Sequence, residues 1–116
     1  MDEGEFMRRT REFGKRVARV CDALSRQRSA DAIARQQVRS GLSVGAGYRA
    51  ACRAKSGRDM TAKLAVEEEA DESVHWLEML VERGILPAAR LRALIQEGNQ
   101  IVAMTAKTLR KRFGRS

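Results

Sequence analysis

The first segment of the chain reads FMRRTREFGKRVARVCDAL over residues 6–24. Its apolar residues recur at intervals of three, four and seven, which places them on one side of a helix with about 3.6 residues per turn. They are Phe6, Phe13, Val17, Val20 and Leu24. Arginines and lysines occupy much of the remaining circumference. The pattern therefore predicts a helix over about residues 5–28, with one buried side and cations on the other.

Three further helices are predicted, at about residues 32–55, 60–83 and 88–112. Ser29 and Asp31 are candidate N-caps for the second helix. The stretch SGRD at residues 56–59 is the clearest break, since glycine favours a helix end and aspartate a helix start. Gly84 is predicted to end the third helix. Pro87 falls in the first turn of the fourth, where its missing N–H does no harm.

The inward faces of these three helices follow from the same periodicity. The predicted inward residues are Val38, Leu42, Gly45 or Ala46, Tyr48, Cys52, Leu64, Val74, Leu77, Leu80, Val81, Leu91, Leu94, Ile95, Ile101, Val102, Met104 and Leu109. Small residues at 43–47 lower helix propensity but let another helix approach closely. Four long helices with short connections favour an all-α, antiparallel up-down-up-down four-helix bundle. We expect one domain over residues 1–116.

The charge of the chain is strongly and unevenly basic. It has 23 lysines and arginines against 15 acids, a formal net charge of +8. Residues 59–82 carry eight acids and one lysine, whereas residues 83–116 carry eight basic residues and one acid. A positive excess of this size makes a polyanion such as nucleic acid the first partner to consider. An inert basic surface is the alternative.

Two clusters supply the candidate nucleic-acid-binding residues, one on the first helix and one at the end of the fourth. They are Arg8, Arg9, Arg11, Lys15, Arg16, Arg19, Lys107, Arg110, Lys111, Arg112 and Arg115. Arginine binds phosphate with two parallel hydrogen bonds. Part of the C-terminal cluster also suits the negative end of the helix dipole. Aromatic residues for base stacking are nearly absent from both clusters, so we expect binding to depend on backbone charge and shape.

The acidic run at residues 67–72 is interpreted as structural. Inward carboxylates need partners, and we predict ion pairs between Glu69 and Glu72 on the third helix and Arg49 and Arg53 on the second. Glu72 and His75 have the Glu-x-x-His spacing of di-iron bundles, but a single histidine cannot complete such a site. We therefore expect no metal, no cofactor and no catalytic residues.

The remaining features point to an intracellular, soluble chain. Cys21 and Cys52 do not form a disulfide framework and are expected to be small buried thiols. The N-terminus opens with acids and lacks the apolar core of a signal peptide. No stretch approaches the roughly 20 apolar residues of a membrane span. The expected location is the cytoplasm, with no membrane partner.

Two motifs resemble a known family. SVGAGYRAACRA at residues 43–54 is similar to the second-helix signature of the intervening-sequence four-helix-bundle family, which often reads SIGANYREAxRA. The third-helix pattern that contains Lys63, Leu64, Glu69, Ala70, Glu72, His75, Trp76 and Leu77 looks like the same family, as does the Gly84-x-Leu86 connector. The resemblance covers about residues 13–109. The chain departs from the family at Gly47, Ala50 and His75, where asparagine, glutamate and tyrosine are common.

The resemblance implies an antiparallel four-helix bundle that assembles into a homopentamer. The family was noticed in open reading frames within bacterial large-subunit ribosomal RNA genes. It is related to accessory proteins of diversity-generating retroelements, which bind nucleic acid and a reverse transcriptase. We therefore expect a non-enzymatic oligomer that binds RNA or DNA and assists a nucleic-acid enzyme. The rival hypothesis is an interaction module that docks an acidic protein.

Overall fold

The computed structural model describes residues 2–24, 28–53 and 58–113, with side chains in residues 2–24, 28–53 and 65–107. Four helices cover these residues, and no strand occurs among them. They are α1 (Glu3–Asp22), α2 (Arg28–Arg53), α3 (Arg58–Glu82) and α4 (Ala88–Phe113). Each helix packs against the next one along the chain, and α4 returns to contact α1. The predicted antiparallel four-helix bundle is confirmed, with extents of 44 × 21 × 21 Å.

α1 lies further toward the N-terminus than the helix predicted over residues 5–28. Asp2 is its N-cap, because a carboxylate oxygen of Asp2 accepts a hydrogen bond from the Glu5 N–H at 2.7 Å. The N–H groups of Ala23 and Leu24 donate to carbonyls three residues back, at 3.2 and 3.1 Å, and this tightens the last turn. Neither glycine nor proline marks the C-terminal end of α1 in the sequence. The prediction from apolar periodicity therefore placed this end too late.

The starts of α2 and α3 also differ from the prediction. α2 begins before Ser29, so Ser29 and Asp31 lie inside its first turn and do not cap it. Asp31 is still favourable there, because the N-terminal end of a helix dipole is positive. α3 likewise begins before Asp59, and Gly57 lies outside the described residues. Residues typical of helix ends predicted that the helices are interrupted before α2 and before α3, but they did not predict the residues at which these helices begin.

Gly84 ends α3 as predicted. Its φ is +71°, a conformation that glycine adopts without strain. The Gly84 N–H donates to the Val81 carbonyl and the Ile85 N–H to the Leu80 carbonyl, both at 2.9 Å. This pair of bonds is a Schellman motif, and it satisfies two carbonyls at the end of α3. Pro87 immediately precedes α4.

The core combines the predicted apolar faces of α1, α3 and α4 with Ile33, Val44 and Tyr48 of α2. Its largest fully buried apolar side chains are Phe13, Leu77, Leu80, Leu91 and Ile101. Half-buried neighbours, including Val20, Leu24, Ile95 and Val102, surround them. Leu64 and Leu109, also predicted to point inward, lie outside the described side chains. Within the described helices, none has the length and apolarity needed to cross a lipid bilayer.

The inward face of α2 overlaps only in part with the predicted one, because Gly45 and Tyr48 are buried as predicted whereas other predicted residues are not. Leu42 is 48% exposed, and Val38 and Cys52 are only half-buried. Gln37 and Ser40 are fully buried instead. The prediction of an inward Leu42 is therefore wrong.

Close approach of the α1 and α2 backbones explains this orientation. A Cβ added at Gly41 would lie 2.7 Å from Cγ1 of Val17, and one at Gly45 would lie 3.0 Å from Cα of Arg11. Both glycines are buried, whereas Ala46 is exposed. Contact with α1 thus selects the glycine face of α2, and this contact leaves no room for larger side chains.

Candidate nucleic-acid interface

Four of the predicted cations form one exposed stripe on α1. Arg8, Arg11, Lys15 and Arg19 all lie on the side opposite the buried face that contains Phe13. They are three or four residues apart, so they share one face of the helix. At about 1.5 Å of rise per residue the stripe is about 16 Å long. We call these four residues the α1 stripe.

Carboxylates within α1 neutralise part of this stripe. Arg8 lies 4.0 Å from Glu5, and Lys15 donates a hydrogen bond to Glu12 at 3.1 Å. The hydrogen bond and charge of Lys15 hold the pKa of Glu12 below its ordinary value, and the charge of Arg19 adds to this. Pairs as exposed as these contribute little to stability and can be exchanged for phosphate.

Arg9 does not belong to the exposed cations, contrary to the prediction. Its Nε donates to Oε2 of Glu97 at 2.9 Å, and its Nη2 donates to Oε1 at 2.5 Å. Nη2 also donates to Gln100 at 2.8 Å. The hydrogen bond to Glu97 raises the pKa of Arg9, against the opposing effect of burial. Arg9 therefore joins α1 to α4 within the bundle.

A basic groove lies between α1 and α4. Arg16 and Arg19 of α1 line it together with Arg90 of α4. Sequence analysis missed Arg90, because it stands apart from the two clusters. The antiparallel register could have located it: facing residues of α1 and α4, such as Phe13 and Gly98, have numbers that add to about 110. We call this site the α1/α4 groove.

A second basic groove lies between α1 and α2. Arg11, Lys15 and Arg49 surround it, and the exposed side chains of Leu42 and Ala46 contribute apolar surface. Leu42 is an exposed large hydrophobic residue. We call this site the α1/α2 groove.

The C-terminal cluster is described only at its start. Lys107 is exposed on α4. Arg110, Lys111, Arg112 and Arg115 lie outside the described side chains.

The predicted acids Glu69 and Glu72 pair with Arg39, and not with Arg49 or Arg53. Arg39 Nη1 donates to both carboxylate oxygens of Glu69, at 3.1 and 3.0 Å, and Nη2 donates to Glu72. This hydrogen bond is the main reason that the pKa of Glu72 is lowered. Arg49 and Arg53 are exposed further along α2.

His75 and Glu72 do not converge on a common site. The Trp76 Nε1 donates to Glu72 at 2.9 Å, so this carboxylate already has Arg39 and Trp76 as partners. His75 is exposed and meets the Trp76 ring edge-on, with ring centroids 4.7 Å apart. Among the described residues, no group of three histidine, cysteine or acidic side chains could hold a metal ion.

Fold and surface together define a basic, antiparallel four-helix bundle. No protein-family model and no curated protein sequence matches the chain. A protein of unknown function from the S23 ribosomal protein family of Bacteroides thetaiotaomicron has a similar solved structure, with 22% sequence identity and a TM-score of 0.86. The match covers 95% of this chain and 99% of that chain. At this identity the likeness shows the fold alone, so membership in the intervening-sequence family stays a prediction.

Proposed function

We propose that this protein binds the phosphate backbone of RNA or DNA through the α1 stripe, as a non-enzymatic accessory of a nucleic-acid enzyme such as a reverse transcriptase. The observation that carries the proposal is the common exposure of Arg8, Arg11, Lys15 and Arg19 along one face of α1. Adjacent phosphates along one DNA strand are about 3.4 Å apart in axial rise. A stripe of about 16 Å therefore spans about five such steps.

The test measures binding of a fluorescently labelled oligonucleotide by anisotropy at two salt concentrations. Affinity should fall steeply as salt rises, because bound cations release counterions from the nucleic acid. The variant R8Q/R19Q, which leaves the α1/α2 groove unchanged, should bind about fivefold more weakly than R28Q/R35Q, which loses the same charge from exposed positions on α2. No binding by the unmodified protein at low salt would contradict the proposal.

The proposal includes the assembly of several copies of this chain. The family resemblance implies that the assembly is a pentamer. The α1/α2 groove presents Leu42 among three cations, two of which, Arg11 and Lys15, also belong to the α1 stripe. A contact at this groove leaves the outer two residues of the stripe, Arg8 and Arg19, to bind phosphate.

A groove on the opposite side of the bundle, between α3 and α4, has the apolar residues Val81 and Ile95 beside two acids, Glu78 and Glu82, and one cation, Arg92. Its excess of one acid and its apolar residues complement the α1/α2 groove. When each copy contacts the next through two different surfaces, the copies form a closed ring if the rotation between neighbours divides a full turn evenly.

Sedimentation velocity of two variants tests this contact. L42E places a carboxylate where the neighbouring copy would present its own acids, and should yield monomers. A32E adds the same charge at an exposed position on α2, about 15 Å away, and should leave the oligomer intact. Equal behaviour of L42E and A32E would exclude the α1/α2 groove as the contact.

The exposed Leu42 among cations also favours a second candidate function, a module that docks an acidic amphipathic partner protein. The purified protein would then be monomeric and free of nucleic acid, with a ratio of absorbance at 260 to 280 nm typical of protein alone. Binding of a labelled acidic peptide, lost in L42E and in the presence of high salt, would favour this function over the first.

A further inference from the structure

We propose that the α1/α4 groove is a subsite for single-stranded nucleic acid, which holds a backbone phosphate on its arginines and an unstacked base on its apolar surface. This inference rests on the proposed function and names the strand type and a second contact region. Three arginines from two helices, Arg16, Arg19 and Arg90, line one groove of about 260 Å³. Sequence neighbours alone could not assemble this set, because Arg90 is contributed by another helix.

Within the described part of the chain, the positive field of the groove is not offset by an ion pair. None of its three arginines forms an ion pair with a carboxylate among the described residues. The charges of Arg19 and Arg16 reach Glu12, where they help to lower the pKa of that carboxylate. The first turn of α4 adjoins the groove and contains no acid, so the helix dipole adds to the positive potential. A phosphate group in the groove would accept hydrogen bonds from the arginines and would interact favourably with the positive end of the α4 dipole.

The groove also has accessible apolar surface between its arginines. Half-buried Val20 and Leu86 and the exposed Ala93 provide this surface, and the buried side chains of Leu91 and Leu94 lie beneath it. α1 and α4 contact each other less than any other neighbouring pair of helices, which leaves this seam accessible. An apolar surface is favourable for a base only when the base is unstacked, because a duplex keeps its bases inside. Arginine guanidinium groups also stack on base faces, which replaces the missing aromatic residues.

A matched pair of single substitutions tests the subsite. Ala93→Glu places a carboxylate at the edge of the groove, whereas Ala103→Glu places one at an exposed position of α4 ten residues away. Both substitutions replace alanine by glutamate, which is also a good helix former, and both lower the net charge by the same amount. Anisotropy would compare a single-stranded oligonucleotide with a duplex of the same length, and circular dichroism would check that both variants are folded.

The expected result is that A93E lowers the affinity for the single strand about tenfold more than A103E does. The duplex should be weakened equally by the two variants. R90Q, with R35Q as its control on α2, should reproduce the selective loss. Equal effects of A93E and A103E on the single strand would overturn the subsite while nucleic-acid binding stands. Failure of the unmodified protein to bind either probe would instead remove the proposed function.

Discussion

Arg9 of α1 and Glu97 of α4 lie 88 residues apart in the chain and are joined by two hydrogen bonds in the folded protein. The exposed fractions of the two side chains are 24% and 18%, so water screens this pair less than the surface pairs on α1. Glu97 is the one acid between residues 83 and 116. The pair bridges the seam with the least contact between helices, and it therefore helps to close the bundle.

Breaking this pair should destabilise the protein. We expect R9M and E97M each to lower the free energy of unfolding by about 1–2 kcal/mol, because each leaves a half-buried charged group without its partner. The double variant should lose less than the sum of the two, since neither charge remains. Urea unfolding of the four proteins measures the coupling, with R8M as the exposed control. Strictly additive losses would show that the two side chains do not interact.

The pairing of Arg39 follows from the antiparallel register of α2 and α3, which the predicted limits at residues 55 and 60 did not give. In two antiparallel helices joined by a short connection, the numbers of facing residues add to a nearly constant value. Helices that end at Arg53 and begin at Arg58 set this value near 111, which places Glu72 opposite Arg39. Arg49 lies ten residues, about 15 Å, beyond that position. Sequence analysis chose Arg49 because it considered residue types without this register.

Apolar periodicity predicted only part of the inward face of α2, which includes Tyr48 as expected. Leu42 is far more apolar than Gly41, yet Gly41 is buried and Leu42 is exposed. What decides the face is the distance between α1 and α2, and this distance depends on glycines in both helices. The hydrophobic faces of α1, α3 and α4 were predicted correctly, because large residues such as Phe13, Leu77 and Ile101 dominate them.

The ion pair of Glu72 should make part of the stability depend on pH. Arg39, and then Trp76, lower the pKa of Glu72 below its ordinary 4.5, so the carboxylate contributes stability fully above that value. This stability is lost as the pH falls through the lowered pKa. We expect E72Q to be less stable than the unmodified protein at pH 7, by about 0.5–1 kcal/mol for a pair this exposed. Urea unfolding at pH 7 and at pH 3 should show that the difference shrinks in acid.

Glu68 provides the control for this prediction. It is an exposed acid one turn before Glu72 and forms no ion pair among the described residues. E68Q should therefore change the pH dependence much less. A stability difference between E72Q and the unmodified protein that persists unchanged at low pH would show that charge is not its cause.

The Cys21 thiol should react slowly. Burial, and then the charge of Asp22, raise its pKa to about 11, and its Sγ donates a weak hydrogen bond to the Ala34 carbonyl at 3.7 Å. At pH 8 only about 0.1% of such a thiol is the reactive thiolate. In a C52S variant, alkylation by iodoacetamide should be at least about tenfold slower in the folded protein than in denaturant. Equal rates in the two conditions would contradict the protected state of Cys21.

Gly14 is predicted to be essential for the packing of α1 on α2. A Cβ at this position would lie 2.8 Å from the carbonyl oxygen of Gly41, and a backbone atom cannot move aside as a flexible side chain can. We therefore expect G14A to lower the free energy of unfolding by roughly 1–3 kcal/mol, although alanine is the better helix former.

Gly4 of the same helix is the matched control, because a Cβ there would meet only the Asp2 carboxylate, at 3.5 Å. G4A should therefore stabilise the protein slightly, by up to about 1 kcal/mol, through helix propensity alone. Thermal and urea unfolding of both variants would show opposite signs if backbone contact sets the α1–α2 distance. A stabilising G14A would mean that the two helices can separate without cost, and that the outward position of Leu42 needs another cause.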